Sequence, residues 1–559
     1  MRQNREEALK LKRITLTLAF FLTITSNILA QNNSGGMNMP VEEKPATLMT
    51  GLGSFHHAVS TMNAEAQKFF DQGFTLLYAF NHEAAVRSFK RAAELDPQMA
   101  MAYWGIALAL GPNINLDVDP EREKAAYDAV QKALTLSAKA PENERAYINA
   151  LAKRYSTDPK ADLKALAVDY KNAMGALVKQ YPDDLDAATL YAESAMDLRP
   201  WQLWTNDGKP AEGTEEILAV LESVLHRNPN HIGAIHYYIH SVEASPHPEK
   251  ALPYVAKLPA QIPAAGHLVH MPAHIYMRTG NYEEAARSNK DAAQADENYF
   301  KQTGTGGMYP VMYYNHNLHF LAIAYSMEGR FADALKAARQ LEANVRPHVK
   351  EIPMLEGFMT TSTLMLVRFH RWDEILKLPP VDASMPATGT VQHFARGMAY
   401  AATGKLENAA SELNAFIATE KAIPADAMFG LNSAANILQI AENMLSAKVA
   451  AAKHDNKTAI EHLRKAVEME DALAYDEPPA WFLPVRESLG GALMANGEYA
   501  EAEKVFRADL ERNRLSGRSL FGLLESLKAQ KKVSEASLVQ KEFESAWKNA
   551  DVKLSLGEM

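Results

Sequence analysis

The chain has no cysteine among its 559 residues. That excludes disulfides, thiolate metal ligands, a cysteine nucleophile and a lipidated lipoprotein cysteine, and it suits folding where thiols would mispair. A basic excess is missing too: 58 Lys and Arg face 68 Asp and Glu, a formal charge of −10. No stretch offers the basic face that a phosphate backbone requires, which argues against a nucleic-acid partner. Past residue 30 no apolar run approaches the roughly 20 residues of a membrane span, so none is expected in the mature chain. Catalytic signatures are also absent. There is no HExxH, because Tyr237 stands where that motif needs Glu in His236-x3-His240, and no G-x-S-x-G occurs. "TGTGGMYP" has glycines but not the Lys-Ser/Thr of a Walker loop. An enzyme is therefore not the first expectation.

What is present begins with a targeting pattern. "MRQNREEALKLKR" supplies a charged start, "ITLTLAFFLTITSNILA" an apolar run, and Ala30 a small residue before a cut. Residues 1–30 read as a signal peptide, and the mature protein as periplasmic or secreted. Residues 31–61 read as a polar Gly/Pro-containing tether and N-terminal cap loop, with His56 and His57 in the cap. The remainder is too long for one compact core, which stops growing near 250–300 residues. With 47% hydrophobic and 23% charged residues it is globular in composition, so it grows by repetition or by several domains.

Repetition is visible. "AQKFFDQGFTLLYAFNHEAAVRSFKRAAELDP" (66–97), "GHLVHMPAHIYMRTGNYEEAARSNKDAAQADE" (266–297), "NKTAIEHLRKAVEMED" (456–471) and "VRESLGGALMANGEYAEAEKVFRADLERN" (485–513) share one pattern. A glycine or small polar residue ends a first helix, and Ala with a bulky residue four later marks a second. Gly73, Ala85, Phe89, Ala92 and Pro97 carry it in the first segment, and Tyr276, Gly280, Ala285 and Ala292 in the second. These segments resemble the tetratricopeptide repeat, W-x2-L-G-x2-Y…A-x3-F…P with a 34-residue period. The resemblance implies an all-α solenoid of about twelve helical hairpins, in which stacking makes continuous a core that no single hairpin can bury. We divide it into N-terminal repeats with a histidine-rich groove (62–345) and C-terminal repeats (346–559).

Ten of the eighteen histidines fall between His226 and His319. Set in repeat register, with Pro246, Gly280 and Gly329 aligned, His236 falls on His270 and His240 on His274, while His316 falls on His267 and His319 on His270. Glu193 takes the same register as His240 one unit earlier. The resemblance implies that such positions of the first helices face the concave groove, with Glu243 and Arg278 beside them. Trp201 and Trp204 in "RPWQLW" are placed to wall that groove. Imidazole suits Zn, Cu and Fe, and a His-x3-His pair with a carboxylate is a common ligand set. His236, His240, His270, His274, Glu193 and Glu243 are therefore the candidate ligands of a divalent metal. His267, His316, His319, Arg278, Trp201 and Trp204 are candidate groove-lining residues. Two functions are expected. The first is an exported scaffold that binds a protein or peptide in its groove; the alternative is a metal-binding protein or metal-dependent enzyme using the histidine face.

Overall fold

A computed structural model describes residues 46–304 and 307–559. The signal-peptide segment 1–30 and most of the tether lie outside the described residues. From Ala64 onward the chain is a succession of helix pairs with one two-stranded ribbon, Met428–Phe429 with Asn432–Ser433. First helices, or the short turns leading them, begin at Ala64, Ala100, Glu142, Leu185, Ile232, Gly266, Asn315, Pro353, Pro386, Ala434, Val485 and Gly517. That is twelve hairpins among the described residues, and the architecture is the all-α solenoid that the repeat pattern implies. No described helix is long and apolar enough to cross a membrane.

The sequence sets these pairs by local chemistry. Asn63, Asp119, Asp162 and Asp184 cap helix N-termini by accepting backbone N–H groups, and Pro120 follows its cap in the position where a missing N–H costs nothing. Between pairs, a bulky second-helix side chain seats against small residues of two successive first helices. Phe89 is fully buried, and a Cβ on Gly73 or Gly105 would lie 2.8 or 2.5 Å from its ring. Burying such a ring contributes about 2–3 kcal/mol, so the spacing of the stack is set by these contacts.

The solenoid winds tightly enough for distant hairpins to touch. Tyr78 in the first hairpin donates from its hydroxyl to Asp186 at 2.8 Å, and its ring fills the space beside Gly233 in the fifth. Asn206 Nδ2 donates to the carbonyls of Asp471 and Leu473 at 3.1 and 3.0 Å. The Tyr282 hydroxyl donates to the Arg514 carbonyl at 2.9 Å. In the loop before the first hairpin, His57 Nδ1 reaches Asp186 at 2.7 Å and His56 Nδ1 reaches Asp71 at 2.8 Å. Two apolar clusters result, one drawing on residues 52–299 and the other on residues 273–539. They meet at the hairpin that begins with Gly266, and the histidine face sits at that seam. Leu341 and Val345 share a cluster with Met359 and Leu364, across the division expected after residue 345.

Candidate metal centre

Three consecutive first helices build the site. Ile232–Val242 carries His236 and His240 one turn apart, with Glu243 just past its end. The next first helix is broken by Pro272 into Gly266–His270 and Pro272–Thr279. It carries His267, His270 and His274. Asn315–Met327 supplies His316. The register seen in the sequence thus becomes a spatial cluster, and it corrects one expectation. The face is not an open groove: His236, His240, His267, His270, His274 and Glu243 are each at most 7% exposed.

One nitrogen of most rings is tied off. His236 Nδ1 lies 2.6 Å from the Tyr78 carbonyl oxygen, which can only accept. His240 Nδ1 lies 2.7 Å from Glu243 Oε1. His270 Nδ1 lies 2.7 Å from Asn289 Oδ1, and the amide of Asn289 is held in that sense by its own bond from Nδ2 to the Ala285 carbonyl. Each of these three rings therefore donates from Nδ1 and, when neutral, presents a bare lone pair at Nε2. This is the tautomer that outer-shell partners impose on metal-binding histidines. His274 Nδ1 lies 2.5 Å from Glu243 Oε2, at ion-pair distance but without hydrogen-bond geometry, so the one carboxylate contacts two rings.

The other nitrogens converge. His236 Nε2 stands 3.1 Å from His267 Nε2, and His270 Nε2 stands 2.8 Å from His274 Nε2. The Nε2 of His240 has no partner at all. Ligand atoms of His236, His240 and His267 lie within 4.8 Å of one another, as do those of His270, His274 and His316, and those of His240, Glu243 and His274. Ligands bonded at 2.0–2.1 Å to one metal sit roughly 3–3.4 Å apart by simple trigonometry. His236 and His267 are at that spacing, and His270 and His274 are slightly closer, at hydrogen-bond distance.

Charge points the same way. Burial, reinforced by neighbouring rings, pushes His236, His267, His270 and His316 well below the ordinary histidine range, so they are neutral. Burial works to raise Glu243, but His274 and His240 outweigh it and hold the carboxyl well below its usual range. The ionised Glu243 carboxylate is thus paired with His240 and His274, while the four rings around that pair are neutral. With no thiolate and only one carboxylate, the donor set suits Zn, Cu or Fe rather than Ca or Mg.

Two aromatic residues in a backbone region normally left to glycine close the site. Phe80 has φ of +54° at the turn position where the sixth, seventh, ninth and eleventh hairpins place Gly280, Gly329, Gly404 and Gly497. Its ring stands 4.4 Å from that of His236, 5.3 Å from His267 and 6.0 Å from His240. Trp201 has φ of +60°, and its ring stands 5.4 Å from His240. For bulky side chains such backbone is strained by roughly 1–3 kcal/mol, and strain of this kind collects at functional sites. From the far end of the chain the Tyr475 hydroxyl reaches Glu243 Oε2 at 3.3 Å.

Not every expected residue joins. Glu193 turns away to a buried group with Asp197 and Arg154, where desolvation raises its pKa well above normal. Its register position is right, but Asp197 and Arg154 hold it in a separate buried group. His319 packs against Phe358 and Phe482 instead of His270. Trp204 donates from Nε1 to the Ser241 carbonyl at 2.8 Å, and Arg278 from Nε to the Glu243 carbonyl at 2.9 Å, so both brace the site from outside. Tyr78, Phe80, Asn289 and Tyr475 were not among the sequence candidates. Only Phe80 carried a local signal, a bulky aromatic at a turn where the repeat places glycine.

The start of the central helix is equally tight. A Cβ on Gly266 would meet the Asp296 carboxylate at 2.0 Å, and Asp296 is itself held by Tyr309 and Asn317 at 3.0 and 2.8 Å. Gly266→Ala is therefore expected to destabilise by about 1–3 kcal/mol and to displace His267 and His270, checked by denaturant unfolding.

No protein-family profile and no curated relative matches the sequence. Among solved structures, the chain is similar to a human IFIT1 dimer with m7Gppp-AAAA at 16% identity, over 88% of this chain and 92% of that one, with a TM-score of 0.34. It is similar to the P58(IPK) TPR domain at 14% identity, over 84% and 100%, with a TM-score of 0.22. With yeast Tom70 the figures are 11% identity, 86% and 90% coverage, and 0.29. The fold assignment accordingly rests on this chain's own twelve hairpins.

Proposed function

We propose that this protein is an exported metalloprotein that holds one or two transition-metal ions in its buried histidine cluster. His236, His240 and His267 form one ligand group, His270, His274 and His316 the other, and Glu243 orients a ring in each. The observation that supports this most is the convergence of ring nitrogens: His270 Nε2 and His274 Nε2 face each other at 2.8 Å in the buried core, with Nδ1 of His270 already committed. A proton or a metal ion must sit between such atoms, and only the metal uses all three rings of the group.

A scaffold that binds a protein in its groove would have to work elsewhere than residues 232–320, because that face is enclosed. The last hairpin offers two exposed apolar side chains to such a partner, Val533 and Leu538, 77% and 64% exposed.

Metal analysis of the purified full chain tests the reading. The expected result is Zn, Cu or Fe bound stoichiometrically, falling by half or more in the double variant His270→Ala plus His274→Ala, with circular dichroism confirming that the variant folds. Saturating metal at about 1,000-fold over Kd should add roughly 4 kcal/mol of stability. Because burial lowers the ligand pKa values, proton competition begins only below the ordinary histidine range. Metal should then be retained at about pH 5.5, where an exposed histidine site near 6.5 has mostly released it. Two metal-free forms, neither gaining thermal stability from Zn or Cu, would end this proposal.

A further inference from the structure

A cleft of about 20 Å³ lies beside His240, one member of the first histidine group. His240, Glu243, Tyr475, Trp201, Trp204 and Met196 are among the residues that line it. Arg199, whose side chain is 43% exposed, also lines it and pairs with Glu212. A space of this size holds one water-sized molecule. The Nε2 of His240 is buried and has no hydrogen-bond partner, and the Phe80 ring stacks 6.0 Å from the same imidazole.

We infer that the metal in the His236, His240 and His267 group keeps an open coordination position facing this cleft. The position takes a small oxygen- or nitrogen-donor molecule, of the size of water, hydroxide or dioxygen, and Trp201 sets its size limit. The inference rests on the metal reading above and deepens it. Three independent features converge here. The group supplies three imidazoles rather than four, the ligand count of catalytic rather than structural sites. One of those imidazoles has a buried nitrogen with no protein partner although it borders a water-sized space. Trp201 is held in a strained left-handed conformation that places its ring 5.4 Å from His240, in the 197–213 segment between two helices. A site built to bury a structural ion would close that fourth position with a side chain. This one walls it with aromatic rings, which exclude bulk water without competing for the metal. The exchange is ligand substitution only: a donor atom enters the metal's free position, and no protein bond forms or breaks.

Azide titration of the Cu(II)-loaded full chain, followed by visible absorption, tests it. The expected result is a saturable new charge-transfer band at a site that imidazole, too wide for the cleft, binds poorly. Trp201→Gly should relieve the backbone strain and widen the wall, so that imidazole binds roughly tenfold tighter or better, while metal content stays at the wild-type level. Full metal loading with an absorption spectrum indifferent to azide overturns the open position and leaves the metal reading intact. Equal azide and imidazole response in wild type and Trp201→Gly overturns the assigned role of Trp201. Failure to take up metal at all overturns both.

Discussion

Glu243→Gln should weaken metal binding on the order of 10²- to 10⁴-fold, more than any other single substitution outside the ligand rings. Losing one outer-shell partner commonly costs 10–100-fold in affinity, and Glu243 contacts two rings, His240 at 2.7 Å and His274 at 2.5 Å. Glutamine keeps the shape but removes the charge. It can accept from one ring through its oxygen, while its amide group opposes the other ring's Nδ1–H. Isothermal titration with Zn gives the affinity, and it separates the alternatives. Because His274 and His240 hold the Glu243 carboxylate ionised, the metal-free variant should melt lower than wild type in either case. If Glu243 is only a packing element, the variant loses stability and its metal affinity is unchanged. That outcome would refute the role given to Glu243.

Glu487→Ala should cost about 3–5 kcal/mol of folding stability without touching the histidine site. Glu487 receives Arg368 Nη1 at 3.2 Å and Arg518 Nε at 2.8 Å, and the three side chains are 5%, 2% and 8% exposed. These residues lie on the eighth, eleventh and twelfth hairpins, so the carboxylate binds them across the stack. Removing one partner of a buried ion group leaves charge without compensation, which is far more costly than never having had the group. Against a total of about 5–15 kcal/mol such a loss is large, and urea unfolding measures it directly. A change below about 1 kcal/mol would mean that water already reaches this group. Glu487→Met with Arg368→Met and Arg518→Met together should recover much of the loss, since an apolar replacement of similar volume is often neutral.

The hairpins were legible in the sequence because their determinants are local. Gly280 ends one helix, Ala285 and Ala292 pack the next, and the cap residues Asn63, Asp119 and Asp184 are each written beside the helix they start. Register carried further: histidines spaced one repeat apart, His236 with His270 and His240 with His274, occupy equivalent places on parallel helices, so their clustering follows from the 34-residue period alone. Register could not place Glu193, because equivalence along the chain says nothing about Asp197 and Arg154, which hold it in a separate buried group. Nor could it place His319, which shares a helix with His316 but looks toward Phe482, a residue the winding brings in.

By itself, then, the sequence determined the all-α solenoid, its helix boundaries and the presence of one histidine-bearing face on consecutive first helices. Short-range spacing and capping decide all three. Only the tertiary structure decided that this face is a closed core rather than a groove. Closure depends on the superhelical pitch, which sums small rotations over many hairpins until Phe80, Trp201 and Tyr475 arrive at one point. The pairing of each Nδ1 with Tyr78, Glu243 or Asn289 was settled there too. Those partners are up to 158 residues away in the chain, and no local pattern encodes a contact at that distance.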